Sequence, residues 1–242
     1  MVIISHNVFW FQGMPFESLQ PGAANALIVH DLGEIYRELH ADAICLQEIQ
    51  SEQAGDAISG AMRMSGDYCH GNLLPQYGGV ILSHSGVTVS DACGTSAQRV
   101  WQISRIDGNG AYLTVCNLHL PSSRQLGPEG AAAQRLREIR EILDSSTEQP
   151  DVVVGDFNEQ PGGAVDALLT QAGYVDAAVV VGKDTVSTSV KGTSRGDMIW
   201  IRKNLAENLV AYYVIDRDTL RVDESDVEYL SDHLPLVVEF DL

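Results

Sequence analysis

The chain is punctuated by short apolar runs that stop abruptly at polar side chains. Val152, Val153 and Val154 run into Gly155, after which Asp156, Phe157 and Asn158 follow. A β-branched run of this kind predicts a strand buried on both faces. In an extended chain Asp156 and Asn158, two residues apart, project the same way at the strand end, although Asp and Asn also form simple turn caps. Residues 1–9 read as a strand, and so does Asp42-Ala43-Ile44-Cys45-Leu46-Gln47-Glu48. Further strands are expected over Gly78–Ser83, Gly86–Val89, Val100–Ile103 and Ala111–Leu118, with Asp107-Gly108-Asn109-Gly110 the clearest hairpin signal. Others are expected near residues 197–202, 208–215 and 234–240.

Helical spacing appears between Ala23 and His40, where Leu27, Ile28, Leu32, Ile35, Tyr36 and Leu39 recur on one face. A helix is expected over residues 51–63, a long one from Pro128-Glu129 and a short one over 163–171. Proline is tolerated in a helix's first turn and an acid there faces the positive dipole end. The stretch from Trp10 to Pro21 reads as an apolar loop. Strands and helices alternate irregularly without repeat or linker, which predicts one α/β domain over residues 1–242 with mixed sheets.

The 242 residues are 45% hydrophobic and 20% charged, as in an ordinary globular protein. No run reaches the ~18–20 apolar residues of a membrane span, and the apolar N-terminus lacks a basic leader region, so a cytoplasmic location is expected. Cys45 and Cys116 lie in apolar runs, Cys69 and Cys93 in mixed surroundings, and no pair has zinc-site or redox spacing. The net charge is −18, from 33 acids and 15 bases, which argues against tight, non-specific duplex binding.

Other strand ends carry similar chemistry. Asn7 closes the first strand, Glu48 the second, and His119 the run Asn117-Leu118-His119. Asp197 opens a strand in Arg195-Gly196-Asp197-Met198-Ile199-Trp200, and Asp232-His233 precede the last one. Taken singly, each is more simply a cap, a turn or a structural histidine. Together they supply oxygen ligands of the hard type, which suit Mg²⁺ or Mn²⁺, two imidazoles and an orienting acid. In this order, spanning residues 7 to 235, the set resembles the endonuclease/exonuclease/phosphatase superfamily of DNase I-like enzymes. Gly155-Asp156-Phe157-Asn158 with the later Ser231-Asp232-His233 is its most specific part.

The resemblance implies a four-layer α/β sandwich: two mixed, mainly antiparallel sheets packed face to face and flanked by helices. It also implies hydrolysis of a phosphoester with Mg²⁺ or Mn²⁺ as cofactor. Glu48 would be the main metal ligand, with Asn7 and Asp232 in support. Asp156 would orient or deprotonate the attacking water and Asn158 hold phosphoryl oxygens. His233 would bind the phosphate or move a proton, oriented by Asp197, and His119 would make a second phosphate or leaving-group contact. Phe9, where some relatives carry a polar residue, counts against a second metal site.

Three loops bear on substrate choice: the aromatic loop after Asn7, Pro121–Gln125, and the acidic segment from Asp216 to Glu228, expected near the site mouth. Bases are scattered, and Arg135, Arg137 and Arg140 sit on a predicted helix with Glu138 and Glu141 as expected partners. A small phosphodiester, monoester or nucleotide is therefore favoured, with DNA or RNA endonuclease or exonuclease activity as the alternative. A catalytically silent binding module on the same fold is a further alternative, but no motif residue is missing. A glycosidase carboxylate pair would leave the Asp-Asn and Asp-His pairs unexplained.

Overall fold

A computed structural model describes every residue except 93–95, 109–110, 146–148 and 225. Two six-stranded sheets form its centre. The first has the order β11 (Leu209–Val214), β14 (Leu236–Phe240), β1 (Val2–Asn7), β2 (Ala43–Ile49), β4 (Gly78–Ser83), β3 (Ser65–Cys69). The second runs β5 (Val87–Ala92), β6 (Trp101–Gly108), β7 (Ala111–His119), β8 (Val152–Asp156), β10 (Asp197–Arg202), β9 (Tyr174–Asp176). β1 pairs parallel with β2 and β7 with β8, while the other pairs within both sheets are antiparallel.

The period-2 alternation of strand side chains sorts the apolar residues into three buried layers. Val152 and Val154 face the other sheet, packing in one cluster with Ile3, Cys45 and Ile81, while Val153 faces outward. Its layer holds Ile139 and Ile142 of α3 (Ser123–Ser145) and Leu169 of α4 (Ala164–Gln171). On the opposite side Ile4, Leu46 and Leu82 meet Leu32 and Tyr36 of α1 (Ala26–Glu38) and Ile58 of α2 (Glu52–Met62). Helices, sheet, sheet and helices thus make the four layers that the sequence implied. Burying each such aliphatic side chain is worth about 1.5–3 kcal/mol.

Local chemistry sets the helix starts. Asn25 and Ser51 cap α1 and α2, their side chains accepting from the backbone N–H groups of Leu27 and Ala54. Gly127, at φ 68°, breaks α3, so its regular part begins at Pro128 as expected. The β6–β7 hairpin forms with Gly108 opposite Ala111; its turn residues Asn109 and Gly110 lie outside the described residues. Cys45 and Cys116 are buried, Cys69 is half-buried, and Cys93 is not described. Among the described residues, no helix is long and apolar enough to cross a membrane.

Several elements go beyond the sequence reading. β3, β9, the helical turn α5 (Ala177–Val180) and the ribbon of β12 (Arg221–Glu224) and β13 (Val227–Tyr229) were not expected. All are short or peripheral, and β3 is an edge strand whose Ser65, Gly66 and Asp67 are exposed, so no alternation marks it. Arg135 corrects an expected pairing. It is buried against the Pro121 carbonyl (3.0 Å) and Glu159 (3.5 Å), and Glu138 instead accepts from the Gln98 backbone and the Gln134 side chain.

Gly155 shows why the opening strand ends as it does. Its φ is +139°, and a Cβ there would lie 1.9 Å from the Leu118 carbonyl oxygen of the parallel neighbour. Gly155→Ala is therefore expected to cost about 3 kcal/mol from strain and overpacking together. Thermal unfolding should register a melting temperature roughly 6–12 °C lower; an unchanged value would contradict this packing.

Candidate active site

Strand register brings the polar strand ends together. In the second sheet His119 lies opposite Asp156, and Asp156 opposite Asp197, so three functional groups stand in a row across β7, β8 and β10. In the first sheet Asn7 ends β1 beside Gln47 of β2. Glu48 follows at a break in the β2–β4 register, with φ +58°. A bulge of this kind re-aims one side chain out of the pleat, and strained backbone at such a position accompanies functional sites. The loop before β14 then delivers Asp232 and His233.

The resulting contacts are close. Asp156 Oδ2 lies 3.3 Å from His119 Nε2 and 3.9 Å from His233 Nε2, and it accepts from Asn7 Nδ2 at 3.3 Å. His233 Nδ1 lies 2.9 Å from Asp197 Oδ2, which also accepts from the Thr188 hydroxyl at 2.7 Å. Glu48 Oε1 is 3.8 Å from His119 Nε2, and Asp232 Oδ1 is 3.8 Å from His233 Nε2. All eight residues singled out from the sequence are brought to one end of the sandwich. Glu48, Asp156, Asn158, Asp232 and His233 line a cavity of about 500 Å³ directly.

Asp156 and Asn158 do not simply project in parallel. Asn158 takes a left-handed backbone (φ 49°), its N–H bonds to Asp156 Oδ1 (2.9 Å), and its Nδ2 donates to the Leu120 carbonyl (3.0 Å). The turn-cap role and the cavity-lining role coexist, because the second amide hydrogen is not used by that bond.

Burial and mutual charge set the protonation states. Burial pushes the Glu48 carboxyl up to about 7, against the opposing pull of Arg99. Burial would raise Asp156 too, but the contact with His119 and the charges of His233 and Arg99 hold it below the usual carboxylate range. Burial and Arg99 push His119 down to about 4. Burial opposes the charged form of His233 as well, yet Asp197, Asp232 and Asp156 raise it well above the ordinary imidazole value. Burial raises Asp197 despite its histidine partner. The site can thus offer an ionised Asp156 beside an imidazolium at His233.

The donor set fits a hard divalent cation. Glu48 Oε2 and Asp232 Oδ1 are buried without a hydrogen-bond partner among the described residues, a costly state for carboxylate oxygens unless a cation sits against them. Asn7 Oδ1 accepts from the Phe9 N–H at 3.0 Å and keeps one lone pair. Asp156, Asp197 and His233 also bring one donor atom each within 4.8 Å of one another, but the 2.9 Å contact already engages Asp197 with His233.

Sequence reasoning missed Arg99. Its guanidinium lies 4.3 Å over the Tyr77 ring, contacts His119 Nε2, and donates to Ser122 Oγ at 3.0 Å. The hairpin register holds the signal: counting back from Gly108 opposite Ala111 sets Arg99 against Leu120, next to His119. The substrate loops separate into two outcomes. Phe9, Trp10 and Phe16 form an aromatic cluster that lines the cavity, and Ser122, Arg124 and Gln125 line it too, as the loops after Asn7 and His119 allowed. No described residue of 216–228 lines the cavity, although the end of the acidic segment bonds to Met14, which does. Met14 and Tyr229 bond through their backbones (2.8 Å), and Glu228 N–H bonds to Met14 O (2.7 Å), holding the ribbon behind the aromatic loop. The side chains of Asp223 and Glu224 are outside the described set.

Solved structures with this architecture include TDP2 from D. rerio, complexed with a single-stranded DNA product, at TM-score 0.72 and 19% identity, covering 100% of this chain and 99% of that one. An AP endonuclease from Archaeoglobus fulgidus matches at TM-score 0.70 and 19% identity, with both chains fully covered. A mannosyl-6-phosphatase from Bacteroides thetaiotaomicron matches at 0.69 and 13%, again over both whole chains. At these identities the likeness shows the fold alone. A search among curated proteins finds no match. Residues 4–233 match the family described as Endonuclease/Exonuclease/phosphatase, nearly the whole chain and every strand end described above. The chain belongs to the endonuclease/exonuclease/phosphatase family.

Proposed function

We propose that the chain hydrolyses a phosphoester, preferentially a small phosphodiester, monoester or nucleotide, in an Mg²⁺- or Mn²⁺-dependent reaction. One observation carries this reading: an Asp156 carboxylate oxygen within 3.3 and 3.9 Å of two imidazoles, with Glu48, whose Oε2 has no hydrogen-bond partner among the described residues, 3.8 Å from the first of them. Glu48 and Asp232, with Asn7 in support, would hold the cation. Bound there, Mg²⁺ or Mn²⁺ supplies positive charge against the non-bridging oxygens of the phosphate.

The remaining chemistry falls to the chain's own groups. Asp156 Oδ2 orients the attacking water and takes its proton. His233 presents its protonated Nε2 to the phosphate anion, while Asp197 holds the Nδ1–H and fixes the ring. Asn158 offers its second amide hydrogen to a phosphoryl oxygen. His119, with Arg99 against it, contacts a second phosphate oxygen or the leaving group.

The alternative, action on a nucleic acid end, draws support from Arg124 and Lys191 at the cavity and from rings on which a base could stack. The net charge of −18 opposes extended duplex binding. Hydrolysis of bis(p-nitrophenyl) phosphate is expected to exceed plasmid nicking at physiological salt. Efficient nicking there would reverse the preference.

A further inference from the structure

We propose that His6 is a positioning residue for this reaction, fixing the backbone of His233 in concert with Tyr36. The inference rests on the reading above that His233 acts in hydrolysis. His6 faces the helix side of the first sheet, away from the cavity side to which Asn7 turns, and it is buried. Its Nε2 lies 3.0 Å from the carbonyl oxygen of His233, and its Nδ1 2.6 Å from the hydroxyl of Tyr36 on α1.

A carbonyl oxygen can only accept, so the ring proton sits on Nε2 and Nδ1 is left bare. The Tyr36 hydroxyl therefore donates to Nδ1. Both ring nitrogens are used, in one tautomer and one ring orientation. This chain of two hydrogen bonds runs from α1 through β1 to the peptide that carries His233.

The grip is reinforced from two directions. Ser231 Oγ donates to the Asn7 carbonyl (2.7 Å) and accepts from the His233 N–H (3.2 Å). On the other side the Leu234 N–H bonds to the Thr188 carbonyl (2.8 Å), and the Thr188 hydroxyl bonds to Asp197. Asp197 orients the ring of His233, and His6 orients its peptide plane. Without His6 the His233 carbonyl loses that partner and the plane can rotate, moving Nε2 away from Asp156 while the other walls of the cavity stay in place.

The test is a double-mutant cycle on bis(p-nitrophenyl) phosphate in the presence of Mg²⁺, with His6→Phe and Tyr36→Phe each made alone and in a His233→Ala background. His6→Phe is expected to lower kcat about tenfold or more, because small misplacements of a reacting group are costly. Tyr36→Phe should lower it about threefold, by loosening the ring that the hydroxyl holds. KM should stay within about twofold in both, and neither substitution should change the rate further once His233 is gone. Tyr36→Phe removes one hydroxyl and carries the test alone if His6→Phe cannot be purified. Equal losses in both backgrounds, or no loss in the wild-type background, would overturn the positioning role. An unaltered rate in His233→Ala alone would overturn the assignment of His233, and the inference with it.

Discussion

Asp156→Asn is expected to lower kcat/KM for a phosphodiester by about 10²–10⁴-fold while the protein still folds, the range for loss of a positioned general base. The carboxylate sits where three requirements meet. It ends β8 with its backbone carbonyl bonded to Leu120 N–H (2.8 Å), which holds the strand end in place. It is kept ionised by the contact with His119 and the charges of His233 and Arg99, against the effect of burial. Its Oδ2 faces both imidazoles and Asn7. An amide keeps the shape and the acceptor oxygen but cannot take a proton from water. The comparison to make is kcat/KM together with a melting curve. Near-normal turnover in the folded variant would remove Asp156 from the mechanism.

Asp197→Asn is expected to cost about 10²-fold in kcat and to move the alkaline limb of the pH–rate profile toward lower pH. Asp197 is the foremost of the charges that raise His233 above an ordinary imidazole. The imidazolium therefore persists to higher pH in the wild type and is lost as pH rises through that raised value. Without the carboxylate the raised value falls, and the imidazolium disappears earlier in the titration. The amide would also favour a different hydrogen-bond pattern with Nδ1, misplacing the ring. A variant whose alkaline limb stays in place would show that another group controls it.

Much of this site was legible because a strand that stops at a cavity must change abruptly from apolar to polar. Val152-Val153-Val154-Gly155 before Asp156, and Ile44-Cys45-Leu46 before Glu48, both announce their functional ends. The mirror pattern, Asp197 before Met198-Ile199-Trp200, works equally well at a strand start. The bulge that turns Glu48 into the site was not legible, because a register shift depends on the facing strand. Arg99 and Thr188 reach the site through hairpin register and a returning loop, which local pattern does not encode. The edge strand β3 and the β12–β13 ribbon were lost for a related reason. Partly solvated strands have little apolar alternation to display. Charge alone does not reveal that the acidic segment reaches the cavity only through the pairing of Tyr229 with Met14. His6 was passed over beside Asn7 because one residue's difference along a strand puts it on the opposite face.

The most direct test of the central claim is hydrolysis of bis(p-nitrophenyl) phosphate by protein stripped with EDTA, assayed before and after addition of Mg²⁺ or Mn²⁺. Glu48→Gln should be treated identically alongside it. The stripped wild type should be inactive and regain turnover with either ion. Glu48→Gln should need a much higher ion concentration, because it lacks the carboxylate charge that suits a hard cation. Full activity after stripping, or an unchanged ion requirement in Glu48→Gln, would contradict a metal-dependent phosphoesterase built on these strand ends.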